Sequence, residues 1–122
     1  MANDNYGTPN WLMKVFENWF DPCPINAVFD GLNIRWEMKT YVNPPYSNPL
    51  PWVEKAIEES KKGKTIVMLL KADTSTKYYA RLLESKARIL FFSGRIKFAG
   101  QKNTATFPSM LCILGTKEVR KR

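Results

Sequence analysis

Thr65-Ile66-Val67-Met68-Leu69-Leu70 is a continuous and mostly apolar run. Such a run is typical of a strand that is buried on both faces in the centre of a parallel sheet. Apolar residues at helical spacing flank the run on both sides, namely Trp52, Val53, Ala56 and Ile57 before it and Tyr78, Tyr79, Leu82 and Leu83 after it. Strands and helices that alternate in this way predict an α/β domain.

Both flanking helices carry recognisable ends. The first is predicted to begin at Asn48 or Pro49 and to end at Gly63, a C-terminal cap. The second is predicted to be capped by Asp73 or Thr74, because short polar side chains favour helix N-termini. Each helix therefore connects the central strand to a neighbouring element.

Further along the chain, residues 87–92 predict another strand, and residues 108–114 predict a closing antiparallel strand. Between them, alternation over residues 95–98 puts Arg95 and Lys97 on one face and the apolar side chains on the other. We expect a small Rossmann-like domain with a largely parallel sheet and an antiparallel hairpin at its C-terminal end.

The N-terminal part is predicted to begin with a helix. Thr8 is a good N-cap, and Pro9 suits the first helical position. Apolar residues then recur at helical spacing, at Leu12, Val15, Phe16 and Trp19. This helix is expected to pack its apolar stripe on the sheet, and Trp36 is expected in the core.

Two short strand-like runs follow, over residues 19–22 and 27–31, with Asp21 and Asp30 near their ends. Carboxylates at strand ends can bind the charged or hydroxyl groups of a cofactor. Few residues separate the two runs, fewer than the roughly 10–12 that an ordinary crossover needs. The first crossover helix is therefore predicted to be reduced or missing.

Length and composition restrict the classes of function. The 122 residues are expected to form one domain, residues 1–122, with residues 1–7 and 117–122 flexible. The formal net charge of +8 suits a polyanionic partner. The chain has no histidine, which excludes Ser–His and Cys–His nucleophilic schemes, and its two distant cysteines give no spacing for a metal site. No metal is expected.

The sequence also bears on location. No apolar run approaches the roughly 20 residues that a membrane span needs. The N-terminus is polar, so no signal peptide is visible. Cys23 and Cys112 are expected to be reduced thiols. A cytoplasmic protein with no membrane partner is therefore expected.

The segment Asn43-Pro44-Pro45-Tyr46, called the NPPY segment below, carries the candidate chemistry. It follows a strand-like lead, where open α/β sheets bind ligands. The Asn43 side-chain oxygen accepts hydrogen bonds, and prolines leave only carbonyls pointing out of the turn. Two adjacent acceptors suit an amine with two N–H bonds, and the Tyr46 ring can stack on the base that carries it. The segment fits adenine N6 or cytosine N4; the alternative is a proline-rich loop with a surface tyrosine.

The NPPY segment resembles the catalytic motif of amino-methyltransferases that use S-adenosylmethionine. From about residue 8 to residue 114, the chain resembles the phage-type DNA N6-adenine methyltransferase family. The other shared motifs are Thr8-Pro9, Asp21-Pro22-Cys23, Asp30-Gly31-Leu32, Trp36, Gly94-Arg95-Ile96-Lys97-Phe98 and Phe107-Pro108-Ser109. The resemblance implies methyl transfer from S-adenosylmethionine to a flipped-out adenine N6 in double-stranded DNA. It also implies a viral or phage gene whose product acts in the host cell.

The resemblance implies roles for individual residues. Asn43, Pro44, Pro45 and Tyr46 would be catalytic. The cofactor would contact Thr8, Pro9, Asp21, Pro22, Cys23, Asp30 and Asn43. A plain helix start stays open for Thr8, and a simple turn aspartate for Asp30. The chain departs from many methyltransferases because no glycine-rich loop follows Asp21.

Aromatic and basic residues supply candidate DNA contacts. Tyr46 would stack on the target base, and Arg95, Lys97 and Lys102 would contact phosphates, with the tail at residues 117–122 as a further basic element. Two other readings stay open: a non-catalytic nucleic-acid-binding relic of the same fold, and a methyltransferase for RNA or a protein side-chain amide. Because 122 residues leave no room for a target-recognition domain, a homodimer or a separate recognition partner is open too.

Overall fold

The computed structural model describes residues 6–25 and 27–115. One sheet contains β1 (Lys39–Val42), β2 (Thr65–Lys71), β3 (Arg88–Phe91) and β4 (Ser109–Leu114), in the order β1-β2-β4-β3. The described helices are α1 (Asn10–Met13), the 3₁₀ helix Gly31–Asn33, α2 (Leu50–Ser60) and α3 (Lys77–Glu84). The predicted α/β class is confirmed, and no helix in these residues is long and apolar enough to cross a membrane.

The sheet is mixed, which corrects the prediction of a largely parallel one. β2 pairs in parallel with β1, but it pairs antiparallel with β4, which in turn pairs antiparallel with β3. A continuous apolar run shows that a strand is covered on both faces, and it says nothing about the direction of the neighbouring strands. The pairing of β3 with β4 confirms the predicted C-terminal antiparallel hairpin.

The two faces of the sheet bury different side chains. Helices α2 and α3 cover one face, the helical face, whose buried residues include Trp36, Val42, Met68, Leu70 and Cys112. The N-terminal segment and residues 95–98 cover the other face, the loop face, whose buried residues include Leu12, Tyr41, Val67, Leu69, Ile96 and Phe98. Burial of Trp36 confirms its assignment to the core. Exposure of Arg95 and Lys97 beside buried Ile96 and Phe98 confirms the predicted alternation.

The main errors of the sequence prediction lie before β1. Helix α1 is four residues long, its N-cap is Pro9, and Thr8 does not cap it. Val15 is 64% exposed, because the chain leaves the helix before the predicted stripe is complete. Phe16 lies instead in a non-helical turn and stacks on Tyr41, with the ring centroids 4.8 Å apart. Packing on the sheet has therefore overridden helical spacing in this segment.

The two predicted N-terminal strands are also corrected. Residues 19–22 contribute one bridge, a parallel pairing of Phe20 with Thr40, instead of a strand. The described residues of 27–31 form no strand, and Val28 is 98% exposed. A short apolar run becomes a strand only where a neighbouring strand offers hydrogen bonds, and this run has none in the described sheet. Between Asp21 and β1 the described chain contains only a 3₁₀ helix, which confirms the missing crossover helix.

The later helices agree with the prediction except at two caps. The C-cap of α2 is Lys61 and not Gly63. Helix α2 has Pro49 at its N-cap, and Gly63, with a φ of +90°, ends the turn that follows it. The N-cap of α3 is Thr76, whose hydroxyl accepts a hydrogen bond from the Tyr79 amide at 3.2 Å. Asp73 and Thr74 therefore do not cap α3; the Asp73 carboxylate accepts from Ser75 in the preceding turn.

The flexibility expected at the termini falls mostly outside the described residues. Residues 1–5 and the basic tail at 117–122 are not among them. Tyr6 and Gly7 are described, and Gly7 forms an antiparallel bridge with Ala99. This bridge ties the N-terminal segment to the segment that follows β3.

Candidate active site

The NPPY segment leaves the C-terminal end of β1 and leads into α2. Because β1 and β2 are parallel, their C-terminal ends lie at the same edge of the sheet. Pro44 is buried, and Asn43, Pro45 and Tyr46 are partly buried. The sequence prediction placed the segment at a strand end next to the central strand, and the structure confirms that position.

The side-chain amide of Asn43 is held in one orientation. Its nitrogen donates to the main-chain carbonyl of Tyr6 and, at 3.3 Å, to the hydroxyl of Thr8. A carbonyl oxygen can only accept, so the amide nitrogen must face Tyr6. The amide oxygen Oδ1 is buried and has no hydrogen-bond partner among residues 6–25 and 27–115. A buried acceptor without a partner is unfavourable, and a ligand N–H would satisfy it.

Thr8 connects Asn43 to the sheet. Its hydroxyl also forms a hydrogen bond of 3.0 Å with the hydroxyl of Tyr41, a buried residue of β1. Burial raises the pKa of Tyr41 above its ordinary value, so this hydroxyl stays protonated. The chain of contacts Tyr41–Thr8–Asn43 fixes the amide on both the strand and the N-terminal segment.

A cavity of about 300 Å³, called the Asp21 cavity, lies on one side of the NPPY segment. Its lining includes Thr8, Asp21, Cys23, Asn43 and Pro45. The Asp21 carboxylate accepts a hydrogen bond of 2.9 Å from the Cys23 amide. Burial nevertheless raises the pKa of Asp21, the amide hydrogen bond opposing it. A carboxylate in such a place favours a cationic ligand, because a nearby positive charge offsets the cost of burying the negative one.

The other residues predicted to bind a cofactor lie outside the lining of this cavity. Pro9 and Pro22 are buried. Asp30 is exposed, and its carboxylate accepts hydrogen bonds from the Leu32 amide at 3.0 Å and the Asn33 side chain at 2.7 Å. The structure thus uses Asp30 to cap the 3₁₀ helix, as a turn aspartate does.

Gly31 fixes the loop that carries Asp21. A Cβ at this position would lie 1.9 Å from the carbonyl oxygen of Pro22 and 2.8 Å from the Trp52 ring. The Trp36 indole nitrogen donates to the Gly31 carbonyl at 2.8 Å. Glycine therefore allows residues 21–23 to approach the core closely enough to line the Asp21 cavity.

Tyr46 lies on the loop face in a cluster of aromatic rings. Its ring centroid is 5.1 Å from that of Tyr6, 5.2 Å from that of Phe107 and 5.8 Å from that of Phe98. The Tyr46 hydroxyl is buried without a hydrogen-bond partner among the described residues, and burial raises its pKa. Tyr46 is therefore packed among neighbouring rings, and its hydroxyl lies inside the protein.

A second cavity, called the Tyr46 cavity, is lined by the last residue of the NPPY segment and measures about 270 Å³. Its lining residues are Tyr46, Pro49, Leu70, Lys71, Asp73, Thr76 and Tyr78. Burial raises the pKa of Tyr78 to about 12, and its hydroxyl donates to the Lys71 carbonyl at 2.7 Å. The NPPY segment thus contributes to two cavities, one lined by the partly buried Asp21 and one lined by two tyrosines.

The predicted phosphate-binding residues all carry a positive charge on an exposed side chain. Arg95, Lys97 and Lys102 are exposed, and within the described chain none of them forms an ion pair. The described ion pairs involve α2, α3 and residues 61–64 instead. Residues 6–25 and 27–115 contain no cluster of three His, Cys, Asp or Glu that could hold a metal ion.

Comparison with known proteins decides the family. The family model described as DNA N-6-adenine-methyltransferase (Dam) matches residues 25–116, which is most of the chain. The chain belongs to the Dam family. The resemblance seen in the sequence is therefore confirmed.

Two phage proteins are similar to this Dam-family chain. A DNA N-6-adenine-methyltransferase of Haemophilus phage HP1 (strain HP1c1) is 33% identical over 114 residues, covering 78% of this chain and 66% of the relative. A DNA N-6-adenine-methyltransferase of Escherichia phage T1 is 40% identical over 60 residues, covering 47% of this chain and 25% of the relative. The chain thus spans about two thirds of the length of one relative and a quarter of the other.

The Dam-family match includes the NPPY segment but begins after Asp21. Thr8 and Asp21 are therefore connected to the site by geometry: both line the cavity that Asn43 lines. Sequence reasoning missed Tyr6 and Tyr41 as supports of Asn43. Strand alternation could have placed Tyr41 on the face of β1 opposite Val42, whereas a contact through the Tyr6 carbonyl leaves no trace in the sequence.

Proposed function

We propose that this chain transfers a methyl group from S-adenosylmethionine to the N6 amine of adenine in DNA. The observation that carries the proposal is the Asn43 amide, whose oxygen is buried, oriented and without a described partner. Membership of the Dam family supports both the reaction and the substrate. The relatives named as DNA N-6-adenine-methyltransferases support it as well.

The Asp21 cavity fits the methyl donor. Its volume of about 300 Å³ lies within the range of ligand sites, and the partly buried Asp21 carboxylate suits a cationic ligand. Asp21, Thr8, Cys23 and Asn43 would hold S-adenosylmethionine there, and Pro9 and Pro22 would support them. Asp30 is proposed only as an outer contact, since its carboxylate already caps a helix. When bound, S-adenosylmethionine supplies a methyl group on a positively charged sulfur that is already activated for attack.

The NPPY segment would hold the target amine. Asn43 Oδ1 and the Pro44 carbonyl accept its two N–H bonds, which concentrates the lone pair on nitrogen. The Tyr46 ring stacks on the base after it leaves the duplex, a step that base-modifying enzymes require. No strong base is needed before transfer, because the proton can leave once nitrogen carries the methyl group. The protein's contribution is therefore mainly positioning.

Double-stranded DNA is the proposed partner. The net charge of +8 and the unpaired Arg95, Lys97 and Lys102 suit a phosphate backbone. These side chains would position the duplex, since phosphate contacts carry no base information.

Methyl transfer to parallel substrates tests the function. Tritiated S-adenosylmethionine would be incubated with the protein and with duplex DNA, RNA or a peptide carrying side-chain amides. We expect label in DNA alone, recovered as N6-methyladenine after digestion. Label in RNA or peptide but not in DNA would assign a different substrate. Cofactor and DNA binding without transfer to any substrate would favour a non-catalytic relic.

A further inference from the structure

The loop after residue 98 has a third cavity of about 260 Å³ that the proposed reaction does not use. We propose that Gln101 and Asn103, at the tip of this loop, read the edge of a base that neighbours the target adenine. This inference rests on the proposed function, and it concerns which DNA sequence the site accepts.

The base of the loop is fixed. The Ala99 amide donates to the Gly7 carbonyl at 2.8 Å, and the Ala105 amide donates to the Ile96 carbonyl at 2.8 Å. Between these two contacts, the main-chain amide of Gln101 donates to the main-chain carbonyl of Phe98 at 3.1 Å. Because both ends of the loop are tied to the domain, its tip is presented in a defined place, as recognition requires.

The polar side chains at the tip are uncommitted. Gln101, Lys102, Asn103, Thr104 and Thr106 form no side-chain hydrogen bond or ion pair with the described residues. Elsewhere, polar side chains of loops such as Asp30 and Asp73 serve their own turns. Side chains at this tip are therefore available to an external partner.

The floor of the cavity joins it to the target site. Tyr6, Phe98 and Phe107 lie beneath the polar rim, and the Phe107 ring centroid is 5.2 Å from that of Tyr46. All three of these rings lie next to the ring of Tyr46, the residue proposed to hold the target base. A nucleotide next to that base would therefore come within reach of this rim.

The chemistry of the rim suits base edges. An amide side chain offers an N–H donor and a carbonyl acceptor side by side in one plane, which matches the N6 and N7 atoms of adenine. Thr104 and Thr106 add groups that both donate and accept. Lys102, being a flexible cation, suits the phosphate beside them. The rim therefore combines a positioning contact with two contacts that can distinguish bases.

Methylation of a randomised duplex library tests this inference. A fixed adenine would be flanked by random bases, and methylated products would be sequenced for the parent and for the double variant Gln101→Ala, Asn103→Ala. We expect the parent to prefer certain flanking bases and the double variant to lose about tenfold or more of that discrimination. S-adenosylmethionine affinity and melting temperature should stay at the parent values.

Two variants serve as controls. Asn18→Ala removes an exposed amide outside all three cavities and should keep the parent's preference. Lys102→Ala should weaken binding equally on all sequences and keep the preference as well. A parent without preference, or a double variant that keeps it, would overturn the inference while DNA methylation itself persists. If the parent methylates no duplex, the proposed function fails and the inference with it.

Discussion

At the scale of single residues, the site depends on neighbours that the NPPY segment does not contain. The Tyr6 carbonyl and the Thr8 hydroxyl hold the side-chain nitrogen of Asn43, which leaves its oxygen without a partner among the described residues. The sequence motif predicted that the Asn43 side-chain oxygen is an acceptor, because an amide oxygen can only accept hydrogen bonds. The orientation comes from a segment more than thirty positions away, which no local pattern shows.

The Thr8 hydroxyl can be tested with a pair of matched substitutions. Thr8→Val keeps the shape but removes the hydroxyl, so kcat should fall up to about tenfold, as loss of one neutral hydrogen bond implies. Thr8→Ser keeps the hydroxyl and should retain most of the activity. Single-turnover methyl transfer measures the effect, and calorimetry measures cofactor affinity. Equal rates for the two variants would exclude the hydroxyl from a positioning role.

Removing the charge of Asp21 is expected to stabilise the fold but to weaken cofactor binding. Its pKa in the ligand-free fold is raised above the ordinary 3.8, so its burial costs stability once the carboxylate ionises. That cost is absent below pH 3.8, grows as the pH rises from there, and is complete once the pH exceeds the pKa of the folded state. Asp21→Asn should therefore raise the melting temperature at neutral pH and leave it little changed at low pH.

The same substitution should weaken S-adenosylmethionine binding roughly ten- to a hundredfold, because a hydrogen bond to a charged group contributes about 1.5–3 kcal/mol. In the parent, affinity should fall as pH drops through the Asp21 pKa. Melting curves and titration calorimetry over a pH series measure both effects. Unchanged cofactor affinity in the variant would move the donor site away from Asp21.

At the scale of elements, the sequence predicted those strands and helices whose apolar pattern matches the side chains that the fold buries. The apolar run of β2 and the helical spacing of α2 each predicted an element that the structure contains. The prediction failed before β1, where Val28 had apolar neighbours in sequence but no strand beside it. It also missed that β4 lies between β2 and β3, because the order of strands in a sheet depends on chain connections rather than on side-chain pattern.

Gly31 tests how one element supports the site. Gly31→Ala would place a Cβ against the Pro22 carbonyl and the Trp52 ring, so we expect a loss of about 1–3 kcal/mol in the free energy of unfolding. Cofactor affinity should fall too, because residues 21–23 move. Gly63→Ala is the comparison, since its Cβ meets nothing within 4 Å and adds only the strain of a positive φ. A larger loss of stability for Gly63→Ala, measured by denaturant unfolding, would contradict this packing role.

At the scale of the whole molecule, the ion pairs of the described residues are concentrated near two helices, and cations elsewhere, such as Lys86 and Arg88, are unpaired as well. The described ion pairs lie on α2, on α3 and at residues 61–64, whereas Arg95, Lys97 and Lys102 keep their charge unpaired around the loop face. This distribution leaves much of the net charge of +8 available to phosphates. Composition alone predicted the polyanionic partner, but only the fold shows which cations are available.

The salt dependence of DNA affinity measures how many of these cations contact phosphates. Each neutralised phosphate contributes about −0.9 to the slope of log affinity against log salt, so three to five contacts give a slope between about −3 and −5. Arg95→Ala should weaken binding to any duplex and reduce the slope by about one. Lys61→Ala, whose side chain pairs with Glu58, should leave the slope unchanged. Fluorescence anisotropy of labelled duplex across a salt series measures the slope. If Arg95→Ala and Lys61→Ala changed the slope equally, Arg95 would not be a specific phosphate contact.

The proposed role of Asn43 is the central claim, and a comparison of two asparagine variants tests it most directly. Methyl transfer to duplex DNA and S-adenosylmethionine affinity would be measured for the parent, for Asn43→Ala and for Asn48→Ala, which changes an exposed asparagine just beyond the motif. We expect Asn43→Ala to abolish transfer with cofactor affinity nearly unchanged, because its oxygen acts mainly on the transition state. Asn48→Ala should resemble the parent. Full transfer by Asn43→Ala, or a loss of cofactor affinity that parallels the loss of transfer, would contradict the assignment of Asn43 to the target amine.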